Sequence, residues 1–323
     1  MTDTDMEQRR RKLARTYELT ATFRQHGLGY KSAGFFRSLI LKLRGFVEYQ
    51  FLPHYFGTPP KWRRFIRRFG GKRTLPDFCV VGTFKSGSSD LGVNICLHPS
   101  IMIPLAKEFH HPNPDTWRIY YPTEAEKKKH ADAHGAALSP FLAPFLHGME
   151  RTYRLSQAKP ETKIILTLRD PVQRVYSHWK WEYFLAGQRT ALELPFLRSF
   201  PEYVDTALRV FPENLMYTAC ASQCLHTSIY PNAVQYWIDC FGRDQVLVLN
   251  MGEYWQSRSA VLHKIHDFIG VPRYDVPETS VKINENPLTD LPAADDASIL
   301  KLKDFFRPYN EKLWKVIGTD FGW

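Results

Sequence analysis

The chain has 323 residues, 44% hydrophobic and 14% aromatic, which supports a sizeable packed core and excludes disorder as its global state. Its formal charge of +10 favours anionic partners: nucleic acid, a membrane surface, nucleotide phosphates or a polyanionic substrate. Five cysteines, an odd count without a CxxC pair or a matching histidine cluster, argue against a zinc site, and no metal is expected.

Residues 1–73 read as a basic, helical N-terminal extension. Arg9, Arg10, Arg11, Lys12 and Arg15 open it, and Lys61-Trp62-Arg63-Arg64-Phe65-Ile66-Arg67-Arg68 follows. The aromatic residues among these charges suit peripheral contact with a membrane surface. No recognised nucleic-acid module accompanies them, so nucleic acid is not expected as a partner. The richest apolar run, Phe35 to Leu52, is interrupted by Arg37, Lys42, Arg44 and Glu48, which speaks against a transmembrane span. With a charged opening and no signal peptide, a cytoplasmic or peripheral-membrane location is expected, and the Golgi lumen is less favoured.

Residues 74–323 read as one domain in which short apolar runs alternate with helical patterns. Phe78-Cys79-Val80-Val81-Gly82, Lys163 to Leu168 and Gln245 to Leu249 have the continuous apolar character of strands buried on both faces. Helical patterns between them imply a central, mostly parallel sheet flanked by helices, with ligands beyond the carboxyl ends of the strands. The last helix is expected over about Asp295 to Val316.

The first strand delivers Gly82-Thr83-Phe84-Lys85-Ser86-Gly87-Ser88-Ser89-Asp90-Leu91. A strand, a small-residue turn and a helix start form an anion site from backbone N–H groups, hydroxyls and, here, the Lys85 ammonium. The lysine precedes the second glycine by two positions, so the ATP- or GTP-binding G-x-x-x-x-G-K-[ST] spacing fails. The second clear strand runs into Arg169-Asp170-Pro171-Val172-Gln173-Arg174-Val175-Tyr176-Ser177. Pro171 suits the first turn of a helix with Asp170 as its cap, leaving Arg169 at the strand's carboxyl end. Arg169 and Ser177 together can grip a second phosphate.

These segments resemble the PAPS-dependent carbohydrate sulfotransferases of the Golgi heparan and chondroitin type and their bacterial relatives, where PAPS is 3'-phosphoadenosine 5'-phosphosulfate. Gly82 to Leu91 fits the family's G-x-x-K-[SG]-G-T-[ST]-x-L loop except for Ser88 in the threonine position. Arg169 to Ser177 matches R-[DN]-P-x-x-R-x-x-S throughout. Lys107-Glu108-Phe109-His110-His111 resembles the K-E-P-H element, with Phe109 in place of proline. Leu302 to Leu313, with the terminal Gly322-Trp323, resembles the closing helix.

The resemblance implies a P-loop-like three-layer α/β fold and sulfuryl transfer from PAPS to an acceptor hydroxyl or amine, on a carbohydrate, with an acidic glycan suiting the charge. It implies that Gly82, Lys85, Ser86, Gly87, Ser88 and Ser89 hold the 5'-phosphate end, and that Arg169 and Ser177 hold the 3'-phosphate. Lys85 stabilises the leaving phosphate, Glu108 is the base and His110 assists it. Tyr230 and Lys282 fall near the cofactor by the same resemblance. A P-loop nucleotide kinase and a non-catalytic polyanion- or membrane-binding module stand as alternatives.

Overall fold

The computed structural model describes residues 8, 11, 13, 46–52, 54–55, 59–107, 111, 113–143, 145–188, 195–213, 219–276 and 291–323. A short helix α1 (Lys61–Ile66) precedes strand β1 (Phe78–Gly82) and helix α2 (Ser88–Ile95). After a 3-10 turn come α3 (Glu124–His134), β2 (Pro140–Ala143), α4 (Met149–Ala158), β3 (Lys163–Leu168) and α5 (Pro171–Gln188). Then follow α6 (Phe200–Val210), α7 (Ala219–Ser228), α8 (Pro231–Phe241) and β4 (Val246–Asn250). The chain closes with α9 (Met251–Gln256), α10 (Arg258–Ile269) and α11 (Asp296–Ile317).

The four strands form one parallel sheet in the order β2-β1-β3-β4. This is the expected central parallel sheet with helices on both faces, and three of its strands stand where the apolar runs predicted them. β2 was not expected. It has four residues, begins with proline and holds no β-branched side chain, so its sequence carries no strand signal. Its place at the edge of the sheet tolerates Pro140 at its first position.

Successive side chains of β1 go to opposite layers. Cys79 and Val81 join a core with Trp117, Phe141 and Trp237, whereas Phe78 and Val80 join one with Tyr254, Leu262 and Ile265. A third cluster ties α5, α6, α7 and α11 together around Trp179, Tyr203, Phe200 and Phe306. Residues ahead of β1 pack on this body. Tyr55 is fully buried and bridges to Ala106, and Arg67 and Arg73 both donate to the Tyr121 carbonyl.

The connection from β1 leads to β2 on one side, and that from β3 leads to β4 on the other. The crevice beyond the carboxyl ends of β1 and β3 is therefore the topological switch point, where open α/β sheets take their ligands. The segments Gly82 to Leu91 and Arg169 to Ser177 both start there.

Candidate active site

The loop from Gly82 to Gly87 is built to expose backbone N–H groups. Lys85 has φ of 70° and Gly87 has φ of 87°, so left-handed residues flank Ser86 and curl the chain into a concave turn. The Ser86 N–H and hydroxyl both donate to the Thr83 carbonyl, at 3.1 and 2.7 Å, and brace the turn from inside. Gly82 is required by space: a Cβ there would collide with Thr167 Oγ1 and Ser86 Oγ. Helix α2 opens on Gly87 without a side-chain cap, so its first N–H groups and the positive end of its dipole face the crevice.

Lys107, Lys85 and Arg169 are cations at this turn. Lys107 is buried and donates to Ser89 Oγ at 2.8 Å. Lys85 places its ammonium 4.9 Å from the ring centre of Trp181 and 5.8 Å from that of Phe84. Burial, with Arg169 and Lys180 nearby, pushes the Lys85 pKa down to about 8. Arg169, one residue past β3, donates through Nη1 to the Lys85 carbonyl at 3.3 Å. Its Nε is buried without a hydrogen-bond partner, and burial lowers the pKa of the guanidinium. The two segments thus meet in one crevice, with Lys85 and Arg169 side by side.

Helix α5 begins as its sequence predicts, with Asp170 Oδ1 accepting from the Val172 N–H at 2.8 Å. Ser177 lies half-buried on α5, one turn before Trp181. Tyr230 is buried, and its hydroxyl donates to the Arg169 carbonyl at 2.9 Å. It braces the strand end behind the crevice. Ser88 is buried in the first turn of α2, and Ser89 is half-buried beside Lys107. Glu108, His110 and Lys282 lie outside the described residues.

Arg174 was seen in the sequence only as a matching motif position, and the structure gives it a task. It is completely buried and donates to the Phe84 carbonyl at 2.6 Å, the Cys224 carbonyl at 2.7 Å, Thr227 Oγ1 at 2.6 Å and Ser228 Oγ at 2.9 Å. It therefore ties the Gly82–Gly87 loop, at the residue before Lys85, to the carboxyl end of α7. The favourable potential of a helix carboxyl end suits a buried cation.

A family model described as a sulfotransferase domain matches residues 75–288. The chain belongs to the sulfotransferase family. It is a transferase, and its central parallel sheet flanked by helices is the P-loop-like fold of that family. The sulfotransferase from Alicyclobacillus acidocaldarius is similar at 25% identity and a TM-score of 0.52, over 77% of this chain and 98% of that one. Carbohydrate sulfotransferase 15 of Rattus norvegicus is 23% identical over 78% of this chain and 55% of its own length. The membrane-associated sulfotransferase kil1 of Dictyostelium discoideum is 23% identical over 77% of this chain and 66% of its own. Bifunctional heparan sulfate N-deacetylase/N-sulfotransferase 4 of Mus musculus is 25% identical over 63% and 23%.

With family membership the nucleotide-kinase and non-catalytic alternatives fall away. The expected cytoplasmic or peripheral-membrane location is also overturned. The curated relatives are carbohydrate sulfotransferases, the type that the resemblance associates with the Golgi, and one is named as membrane-associated. That expectation rested on how the chain begins, whereas the chain spans about half the length of the first of these relatives and less than a quarter of the heparan enzyme. Among the described residues no helix is long and apolar enough to cross a membrane.

Proposed function

We propose that this sulfotransferase takes its sulfuryl group from PAPS and delivers it to a hydroxyl or amine of a carbohydrate, with an acidic glycan as the acceptor class. The observation that carries the reading is the junction of the two segments: Arg169 reaches the Lys85 carbonyl while its Nε is buried without a hydrogen-bond partner. A nucleotide with phosphates at both ends fits these residues. The uncapped start of α2, Lys85 and Lys107 suit one phosphate, and the open Nε of Arg169, with Ser177, suits the other.

In this reading the donor supplies an activated sulfuryl group. The acceptor oxygen or nitrogen bonds to sulfur as the sulfur–oxygen bond to the 5'-phosphate breaks, and Glu108 takes the acceptor proton with His110 in support. Lys85 offsets the charge that grows on the departing phosphate, and the Gly82–Ser89 turn holds that phosphate through its N–H groups. A group that must donate a proton or a full charge to a leaving oxygen works best with a pKa near the working pH, and Lys85 at about 8 meets that condition. Contact of the N-terminal residues with a membrane surface belongs to the same reading. It is supported by Trp62, Phe65 and Ile66, exposed among the basic residues of α1, and co-sedimentation with anionic vesicles tests it.

The test of the reading is a transfer assay with PAPS and a panel of desulfated glycans, followed by mass spectrometry. A mass gain of one sulfate on a glycan, lost in Glu108→Gln and Lys85→Ala, is the expected result. Transfer that survives both substitutions would refute the assigned roles.

A further inference from the structure

Away from the nucleotide crevice, at the sheet edge beyond β2, a cavity of about 440 Å³ opens between α1, α3 and the chain from Met102 to Leu105. Its size falls in the range of ligand pockets. Among the described residues that line it, Arg63, Arg67 and Lys129 stand against one carboxylate, that of Glu126. Glu126 is already engaged, accepting from the Thr123 N–H at 2.6 Å and lying 3.5 Å from Arg73. Arg63 donates to the Leu52 carbonyl and the Tyr55 hydroxyl, and Arg67 to the carbonyls of Ile119 and Tyr121; these partners are neutral, so the rim keeps an excess of positive charge. Burial first, and then the charges of Arg73 and Arg63, push the Arg67 pKa down to about 10 against the opposing pull of Glu126. The floor is apolar, with Ile103, Leu105 and Ala133. A basic rim over an apolar floor suits an anionic group carried on a sugar ring, whose C–H face needs apolar surface.

We propose that this cavity is a second anion site, which holds a carboxylate or sulfate of the acidic acceptor glycan outside the reacting position. The inference rests on the acidic-glycan reading above and deepens it. Two observations place the cavity in service of the reaction. Leu105 lines it and lies two residues before Lys107, which bonds to Ser89 of the phosphate loop, so cavity and crevice share one short segment. Arg63 and Arg67, two of the three lysines and arginines that line the cavity, precede residue 75, where the family match begins.

Helix α3 supplies a clean test. Glu126, Lys129, His130, Ala133 and His134 form its cavity-facing stripe at i, i+3, i+4, i+7 and i+8, and both Lys129 and Ala133 are exposed. Lys128 is exposed on the same helix and does not line the cavity. A heparin-derived tetrasaccharide and sodium sulfate are titrated calorimetrically into the full chain and into Lys129→Glu, Ala133→Glu and Lys128→Glu. Lys129→Glu and Ala133→Glu should each weaken tetrasaccharide binding about fivefold or more, and Lys128→Glu less than about twofold, because only the first two put a negative charge in the cavity. Binding of 3'-phosphoadenosine 5'-phosphate should be equal in all four proteins. Equal losses in Lys129→Glu and Lys128→Glu would overturn the site in favour of general attraction by a basic surface. Sodium sulfate that binds as tightly as the tetrasaccharide, with the same sensitivity to Lys129→Glu, would overturn the glycan in favour of a free anion. Failure of the nucleotide to bind the unaltered protein would instead strike the donor reading, while the tetrasaccharide comparison still decides the cavity.

Discussion

Replacing Lys85 by methionine should abolish transfer and yet make the protein more stable at neutral pH. The ammonium is held at a pKa of about 8 by burial, Arg169 and Lys180, against 10.5 for an ordinary lysine. That gap of about 2.5 (10.5 minus about 8) corresponds to about 3 kcal/mol disfavouring the charged form in the folded protein. Methionine keeps all but one atom of the side chain's length and removes the charge, but it also forfeits the cation–aromatic contact with Trp181, about 0.5–2 kcal/mol. A net gain of about 1–3 kcal/mol remains, or about 2–6 °C in melting temperature for a domain of this size. The sign with pH follows from proton binding. Between pH 8 and 10.5 the unfolded chain keeps a proton that folded Lys85 has released, so the stability of the unaltered protein rises through this window. Below pH 8 the cost is present in full. Thermal melts at pH 7 and at pH 10 should therefore show Lys85→Met more stable at pH 7 and the difference largely gone at pH 10. A variant that melts lower at pH 7, or one whose advantage is the same at both values, would refute the reasoning.

Other substitutions probe the frame around that lysine. Arg174→Met strips donors from the buried carbonyls of Phe84 and Cys224, and should cost about 2–5 kcal/mol in a denaturant titration and weaken nucleotide binding. Arg174→Lys, with one ammonium in place of a fork, should recover part of the stability and less of the affinity, and full recovery of both would contradict the bracing role. Gly82→Ala forces a methyl against Thr167 and Ser86 and should cost about 1–3 kcal/mol with loss of transfer, measured by melting and by product formation. Lys107→Met should raise the Kd for 3'-phosphoadenosine 5'-phosphate by about tenfold, read by calorimetry, because it removes a buried cation beside Ser89.

The features legible in the sequence were those whose signal is local. β1, β3 and β4 are buried on both faces and therefore spell continuous apolar runs, and the glycines and lysine of the phosphate loop announce a turn that must expose backbone. Asp170 and Pro171 likewise mark the start of α5 by their own chemistry. β2 was silent, because Pro-Phe-Leu-Ala takes its strand geometry from pairing with β1 alone. The roles of Arg174 and Trp181 were hidden for a related reason. Arg174 finds partners 50 to 54 residues later in α7 and 90 earlier in the loop, and Trp181 meets Lys85 only after β3 is placed beside β1. Lys107 was quoted in a motif, yet its bond to Ser89 depends on the segment from Ile101 to Lys107 running alongside the sheet.

The central claim is that one crevice holds both ends of a 3'-phosphorylated nucleotide, and calorimetric titration with 3'-phosphoadenosine 5'-phosphate beside ATP tests it most directly. The account predicts tight binding of the former, weak or no binding of ATP, and loss of that preference in Arg169→Ala, whose removal empties the end that faces the 3'-phosphate. Equal affinity for the two nucleotides, or a preference untouched by Arg169→Ala, would contradict it.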